Sequence, residues 1–145
     1  MKKLHFNTTI NAPREKVWDI LWGKTSYPKW TRPFNEGSDV ETDWQEGSDV
    51  KFIDADGNGM LSVIAVKREP EYLSFQHRGY IMNGKTDTES PEVKAWAGAE
   101  ENYTLSTANG QTTLKVDLDV TAEHSDIFGD MFPKALAIVK ELSEQ

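Results

Sequence analysis

The sequence predicts an α+β fold in which a curved antiparallel sheet of about seven strands surrounds a long C-terminal helix, with two short helices after the first strand. Three observations predict it: an alternating strand opens the chain, alternating strands fill its middle, and an amphipathic helix closes it. Because strands and helices are segregated along the chain, a layered α+β structure is favoured over parallel βαβ units. The long helix is expected to cover the concave face of the sheet.

The length and composition indicate one folded domain. The chain has 145 residues, the size of one ordinary domain, so residues 1–145 are interpreted as a single unit. Hydrophobic residues make up 37% of it, and five Trp, six Phe and four Tyr supply bulky side chains for a core.

Charge and cysteine content exclude several classes of partner and site. The net charge of −8 disfavours nucleic acid and anionic surfaces as partners. The absence of Cys excludes disulfides, thiol nucleophiles and thiolate metal sites. Neither a signal peptide nor a membrane-spanning stretch is recognisable, so we expect a cytoplasmic protein without a membrane span.

The first third of the chain predicts one strand and two helices. Apolar and polar residues alternate over residues 4–10, which is typical of a half-buried strand. Pro13 suits the first position of a helix that ends near Gly23. A turn or second short helix follows at residues 26–30.

The middle of the chain predicts six further strands. They are expected near residues 39–44, 50–54, 60–68, 72–81, 101–107 and 112–121. Asn109-Gly110 between the last two is a strong hairpin signal. Residues 82–100 are polar and are interpreted as an irregular loop, in which Trp96 either docks over a pocket mouth or packs against a partner.

The last segment predicts an amphipathic helix with a broad apolar face. The apolar residues at helical spacing are Phe128, Met131, Phe132, Ala135, Ile138, Val139 and Leu142. Pro133 either lies in the first turn of a helix that starts near Asp130 or kinks a longer helix that starts near Ser125.

Residues 10–18 and the closing helix at residues 133–136 resemble the START-like (SRPBCC) superfamily, whose fold is called helix-grip. Within that superfamily, residues 47–52, 56–59 and 67–75 are most similar to the branch homologous to the C-terminal domain of the activator of the ninety-kilodalton heat-shock-protein ATPase. The resemblance implies the helix-grip fold, and it implies a heat-shock chaperone as a partner and a role in the stress response. The superfamily hosts carriers, hydrolases, cyclases and co-chaperones alike.

The sequence shows no recognisable catalytic centre, metal site or cofactor motif. Residues 54–59 imitate the start of a calcium loop, but Ala65 stands where a bidentate Glu is needed, so a plain turn is favoured. The three His are isolated from one another, and no nucleophile elbow or phosphate loop occurs.

Strand parity points to one inward polar pair. His77 continues the apolar face of Phe75, and Glu101 continues the apolar face of Tyr103 and Leu105. With Phe75 opposite Tyr103, the register would place His77 opposite Glu101. The pair is either a polar anchor at the end of an apolar pocket or a structural ion pair at the sheet rim.

These observations favour a carrier of a small apolar or amphipathic ligand, such as a lipid, held between sheet and helix. The alternatives are a co-chaperone-like interaction module and a hydrolase or cyclase of the polyketide-cyclase type. The residues expected to contact a ligand are His77, Glu101, Tyr103, Phe75, Trp96, Phe128, Phe132 and Trp30.

Overall fold

The computed structural model describes all 145 residues and contains eight strands, four α-helices and one 3₁₀ turn. The strands are β1 Lys2–Ile10, β2 Asp39–Glu41, β3 Asp49–Ile53, β4 Gly59–Arg68, β5 Tyr72–Met82, β6 Lys85–Asp87, β7 Glu100–Ala108 and β8 Gln111–Val120. The helices are α1 Arg14–Trp22, α2 Tyr27–Trp30, α3 Pro91–Lys94 and α4 Ser125–Glu144, with the 3₁₀ turn at Ala122–His124.

The strands form one antiparallel sheet in the order β1-β8-β7-β5-β4-β3-β2, with β6 paired to β5. Its long C-terminal helix and the two short helices after β1 confirm the predicted α+β helix-grip fold. The prediction of about seven strands missed β6, which has only three residues. No helix of the structure is both long and apolar enough to cross a membrane.

Helix α4 packs its apolar stripe against the inner face of the sheet. Phe132, Ala135, Leu136 and Val139 are buried along this stripe and join a core of 22 buried residues. The helix is continuous through Pro133, which decides between the two predicted starts in favour of the longer helix. Proline lacks an amide N–H, so it cannot bond to the carbonyl of Gly129 one turn earlier.

Two predicted segments differ from the structure. The strand expected at residues 39–44 ends at Glu41, and Trp44 adopts a left-handed backbone with φ of 61°. A bulky residue rarely adopts that conformation, so an extended strand cannot continue through this position.

The segment expected to be an irregular loop at residues 82–100 contains β6 and the single turn of α3. The Ser90 hydroxyl caps α3 by accepting a hydrogen bond from the Val93 amide. Gly79 permits the close approach of β6, since a Cβ there would lie 2.2 Å from the Asp87 carbonyl oxygen.

Candidate functional site

A pocket of about 300 Å³ lies between the inner face of the sheet, α2 and the N-terminal half of α4. We call it the grip pocket, and 14 of its 21 lining residues are hydrophobic. The aromatic residues that line it are Tyr27, Trp30, Phe34, Phe52, Tyr80, Trp96, Tyr103, Phe128 and Phe132. Its volume is at the lower end of the range found for small-molecule sites.

The helix side of the grip pocket is a cluster of phenylalanines. The Phe132 ring stacks on Phe6 at a centroid distance of 5.0 Å and meets Phe34 edge-on at 4.8 Å. Phe128 lies one turn earlier on α4. Its ring centroid is 6.1 Å from that of Phe34 and 6.2 Å from that of Phe132. These rings form a continuous apolar surface without a polar group.

The sheet side carries four polar groups that form one hydrogen-bonded chain. Ser62 Oγ lies 2.6 Å from His77 Nδ1, and His77 Nε2 lies 3.2 Å from Glu101 Oε1. The Tyr103 hydroxyl donates a 2.6 Å hydrogen bond to Glu101 Oε2. His77, Glu101 and Tyr103 line the grip pocket, whereas Ser62 lies behind them.

The predicted register between β5 and β7 was wrong by two residues. Phe75 lies opposite Glu101 rather than Tyr103, and Leu73 lies opposite Tyr103. The His77 amide bonds to the Ala99 carbonyl at 2.8 Å, so His77 and Glu101 are diagonal neighbours. A shift of two residues keeps each side chain on its own face, and long side chains bridge the diagonal, so the predicted contact still forms.

Ser62 fixes the imidazole of His77 and is not placed to act as a nucleophile. Its side chain is fully buried on β4 directly opposite His77, and it does not line the pocket. When Glu101 is ionised it only accepts, so Nε2 of His77 carries the proton in that bond and neutral His77 accepts from the Ser62 hydroxyl at Nδ1. Ser62 therefore orients His77 from behind. We call the side of the pocket formed by His77, Glu101 and Tyr103 the polar wall.

Two phenols stand beside Glu101, and both stay protonated at neutral pH. Burial raises the pKa of Tyr103 well above its usual value, and the charge and hydrogen bond of Glu101 add to the rise. Burial likewise raises the pKa of Tyr27, with further contributions from Glu101 and Asp39. The hydroxyls of Tyr103 and Tyr27 are thus neutral hydrogen-bond donors at this pH.

Seven of the eight residues expected to contact a ligand line the grip pocket, namely His77, Glu101, Tyr103, Trp96, Phe128, Phe132 and Trp30. Phe75 does not, because its fully buried ring lies behind the wall against Phe52 and Tyr103. Trp96 is only 7% exposed and packs edge-on against Tyr80 at 4.9 Å. Its buried indole N–H has no hydrogen-bond partner of good geometry. Ligand contact by all eight stays a prediction.

Sequence reasoning missed Ser62, Tyr27 and Tyr80. Ser62 left a usable signal, because it interrupts the inward apolar face that Met60 and Ile64 share on β4. Tyr27 and Tyr80 left no such signal, since a single aromatic residue in a short helix or at a strand end is as typical of an ordinary core as of a pocket.

The calcium-like segment at residues 54–59 is a turn closed by its own carboxylate. Asp54 Oδ1 accepts hydrogen bonds from the Asp56 amide at 2.8 Å and the Asn58 amide at 3.0 Å. This carboxylate oxygen, which would have to bind a calcium ion, is thereby engaged in hydrogen bonds within the loop, as in an ordinary Asx turn.

The curved sheet and the C-terminal helix that it surrounds have the helix-grip fold. No family model matches the chain, and no curated protein matches its sequence. Solved structures do match, and an Aha1 protein is among them.

The Aha1 dimer from Colwellia psychrerythraea is 20% identical, with a TM-score of 0.73 over 99% of this chain and 97% of that one. Protein MLL2253 from Mesorhizobium loti is 14% identical, with a TM-score of 0.72 over 97% of this chain and 96% of that one. CalU16 from Micromonospora echinospora is 18% identical, with a TM-score of 0.66 over 97% of this chain and 65% of that one. At such identities the likeness establishes the fold, which many functions share.

Proposed function

We propose that this protein binds a small apolar or amphipathic ligand in the grip pocket. The observation that carries the proposal is an aromatic-lined cavity of about 300 Å³ with a hydrogen-bonded chain of polar groups on its sheet side. Such a combination of many apolar contacts and few convergent polar groups is typical of small-molecule sites.

In this proposal the two sides of the pocket hold different parts of the ligand. The rings of Phe34, Phe128 and Phe132 contact its apolar body. Glu101 and His77 orient its polar end, because they are the ionisable pair of the opposite wall. Tyr103 holds the carboxylate in place from the other side. The protein would act as a carrier or receptor, since Ser62, the serine bonded to this pair, does not line the pocket.

The test is to fill the pocket. Ala99 lines it and is 4% exposed, whereas Ala97, two residues away, is exposed. Ala99→Phe should reduce the affinity for 4-butylphenol, measured by calorimetry, by at least about tenfold, since one lost ring contact of about 1.4 kcal/mol has that effect. The matched variant Ala97→Phe should bind as the wild type does.

Two results would contradict the proposal. One is the absence of binding by wild-type protein to 4-butylphenol and to related apolar compounds. The other is equal affinity in folded Ala99→Phe and in wild type, because the added ring occupies the space assigned to the ligand.

A second candidate function is interaction with a chaperone, and the likeness to the Aha1 dimer supports it. The measurement is the ATPase rate of a bacterial ninety-kilodalton-type heat-shock chaperone with and without this protein. A changed rate together with no ligand binding would favour this function over the first. A hydrolase or cyclase function has less support, because the only serine in the polar chain is fully buried.

A further inference from the structure

Resting on the proposed function, we infer the chemical class of the ligand: its polar end donates a hydrogen bond, as an uncharged hydroxyl does, and anionic heads are excluded. Glu101 is the residue that sets this preference. The inference rests on the unused acceptor capacity of its carboxylate and on the charges of the pocket wall.

The Glu101 carboxylate has acceptor positions that no protein group uses. An ionised carboxylate offers about four lone-pair positions on its two oxygens. His77 Nε2 occupies one position on Oε1, and the Tyr103 hydroxyl occupies one on Oε2. The side chain is 19% exposed, and it lines the grip pocket, so the remaining positions are open to a ligand.

The lining of the grip pocket contains no lysine or arginine side chain that could bind an anion. Among its 21 residues are the carboxylates of Glu101 and Asp119, but no Lys or Arg. Asp119 is already engaged, by Lys3 Nζ at 3.1 Å and by the Glu100 amide at 3.0 Å. The exposed Met1 also lines the pocket, and the positive charge of its amino group favours the ionised form of Asp119. Of the two lining histidines, His77 faces Glu101, and His124 is bonded to Thr121.

An anionic ligand head would therefore meet a carboxylate across an apolar cavity. Two carboxylates that share a small site cannot both stay ionised without a large penalty, so one of them must take up a proton. A head that only accepts hydrogen bonds avoids this repulsion but leaves the free positions of Glu101 desolvated without a donor. Only a donor head satisfies the wall, and sites built in this way reject analogues that lack the donor.

The test uses three compounds with one apolar body and different heads: 4-butylphenol, 4-butylanisole and 4-butylbenzoate. Their affinities are measured by calorimetry at neutral pH, where the phenol is uncharged and the benzoate is ionised. The phenol should bind at least about tenfold more tightly than the anisole, because a hydrogen bond to a charged group has about that effect. The benzoate should bind most weakly.

The outcomes separate this inference from the proposed function. Binding of none of the three compounds would overturn both. Equal binding of all three, or tightest binding of the benzoate, would overturn the inference while the pocket-binding function stands. The wild-type series gives this answer without any variant.

A pair of variants assigns the preference to Glu101. Glu101→Gln removes the charge at the pocket wall, and Glu100→Gln makes the same change on the adjacent, exposed residue of β7. In Glu101→Gln the benzoate should bind several-fold more tightly and the ratio of phenol to anisole affinity should fall. Glu100→Gln should leave all three affinities unchanged. Continued exclusion of benzoate by folded Glu101→Gln would overturn the assignment.

Discussion

His77 is the residue through which the polar wall is assembled. It is 8% exposed and connects Ser62 on β4 with Glu101 on β7, so three strands meet at one side chain. Buried polar groups need partners, and each member of this chain supplies one to the next. Removal of His77 leaves the Ser62 hydroxyl without this partner, and removal of Glu101 does the same to the Tyr103 hydroxyl.

The first prediction concerns the coupling of His77 and Glu101. His77→Ala and Glu101→Ala should each lower the free energy of unfolding by about 1–3 kcal/mol, because each leaves a desolvated group without its partner. The double variant should cost less than the sum by about 0.5 kcal/mol or more. Urea unfolding of the four proteins measures this coupling, with Glu100→Ala as the control partner. Additive effects would show that the two side chains do not interact in solution.

The second prediction concerns the buried phenol of Tyr103. Because its pKa is raised in the folded state, the unfolded chain loses this proton at lower pH than the folded protein does. The associated stability is fully present below the ordinary tyrosine pKa of about 10 and is lost as the pH rises above it. Tyr103→Phe should therefore show a shallower loss of stability between about pH 10 and 11.5 than wild type. Identical slopes in alkaline urea titrations would refute the buried, neutral phenol.

For individual residues, the alternation of side chains along a strand predicted which of them face inward. It did not predict the register between neighbouring strands. Side chains alternate with a period of two, so His77, Glu101 and Tyr103 could be assigned to one face from the sequence alone. The pairing between β5 and β7 depends on the intervening segment and its contacts, which alternation does not encode. The predicted pair was found because the error was an even number of residues.

Among the elements, the segment from β6 through α3 to Ala99 contains only two short pieces of regular structure, of three and four residues. It contributes Trp96 and Ala99 to the grip pocket, and Trp96 packs against Tyr80 of β5. Segments with few stabilising contacts open locally more often than the body of a sheet does.

The third prediction follows from this placement. If a ligand holds Trp96 in place, 4-butylphenol should slow tryptic cleavage at Lys94 several-fold, because binding stabilises the closed form. Cleavage at the exposed Lys24, between α1 and α2, should be unaffected. Cleavage of Lys94 at one rate with and without bound ligand would show that the segment does not close over it.

The long elements were predictable, whereas the short elements β6 and α3 were not. Helix α4 and the hairpin of β7 and β8 have strong periodic patterns, and their ends lie within a few residues of the expected positions. Strand β6 and helix α3 have three and four residues, too few for a period to appear. They form because the chain folds back on β5, which is a tertiary effect.

At the scale of the whole molecule, the order of elements determined the fold. One strand, two short helices, a run of antiparallel strands and a final amphipathic helix leave the sheet one concave face and one helix to cover it. The volume left between them depends on side-chain packing, so the sequence predicted where a pocket would lie but not its size. The geometry of the grip pocket is the basis of the proposed function.

The most direct test of that function uses the five tryptophans as reporters. Trp30 and Trp96 line the grip pocket, whereas Trp18 and Trp44 line a separate surface cleft beside α1. Their indole N–H signals can be followed by NMR during a titration with 4-butylphenol and assigned with single Trp→Phe variants. We expect saturable shifts of the Trp30 and Trp96 signals, while those of Trp18 and Trp44 stay in place. Shifts of Trp18 and Trp44 alone, or no saturable shift at all, would contradict it.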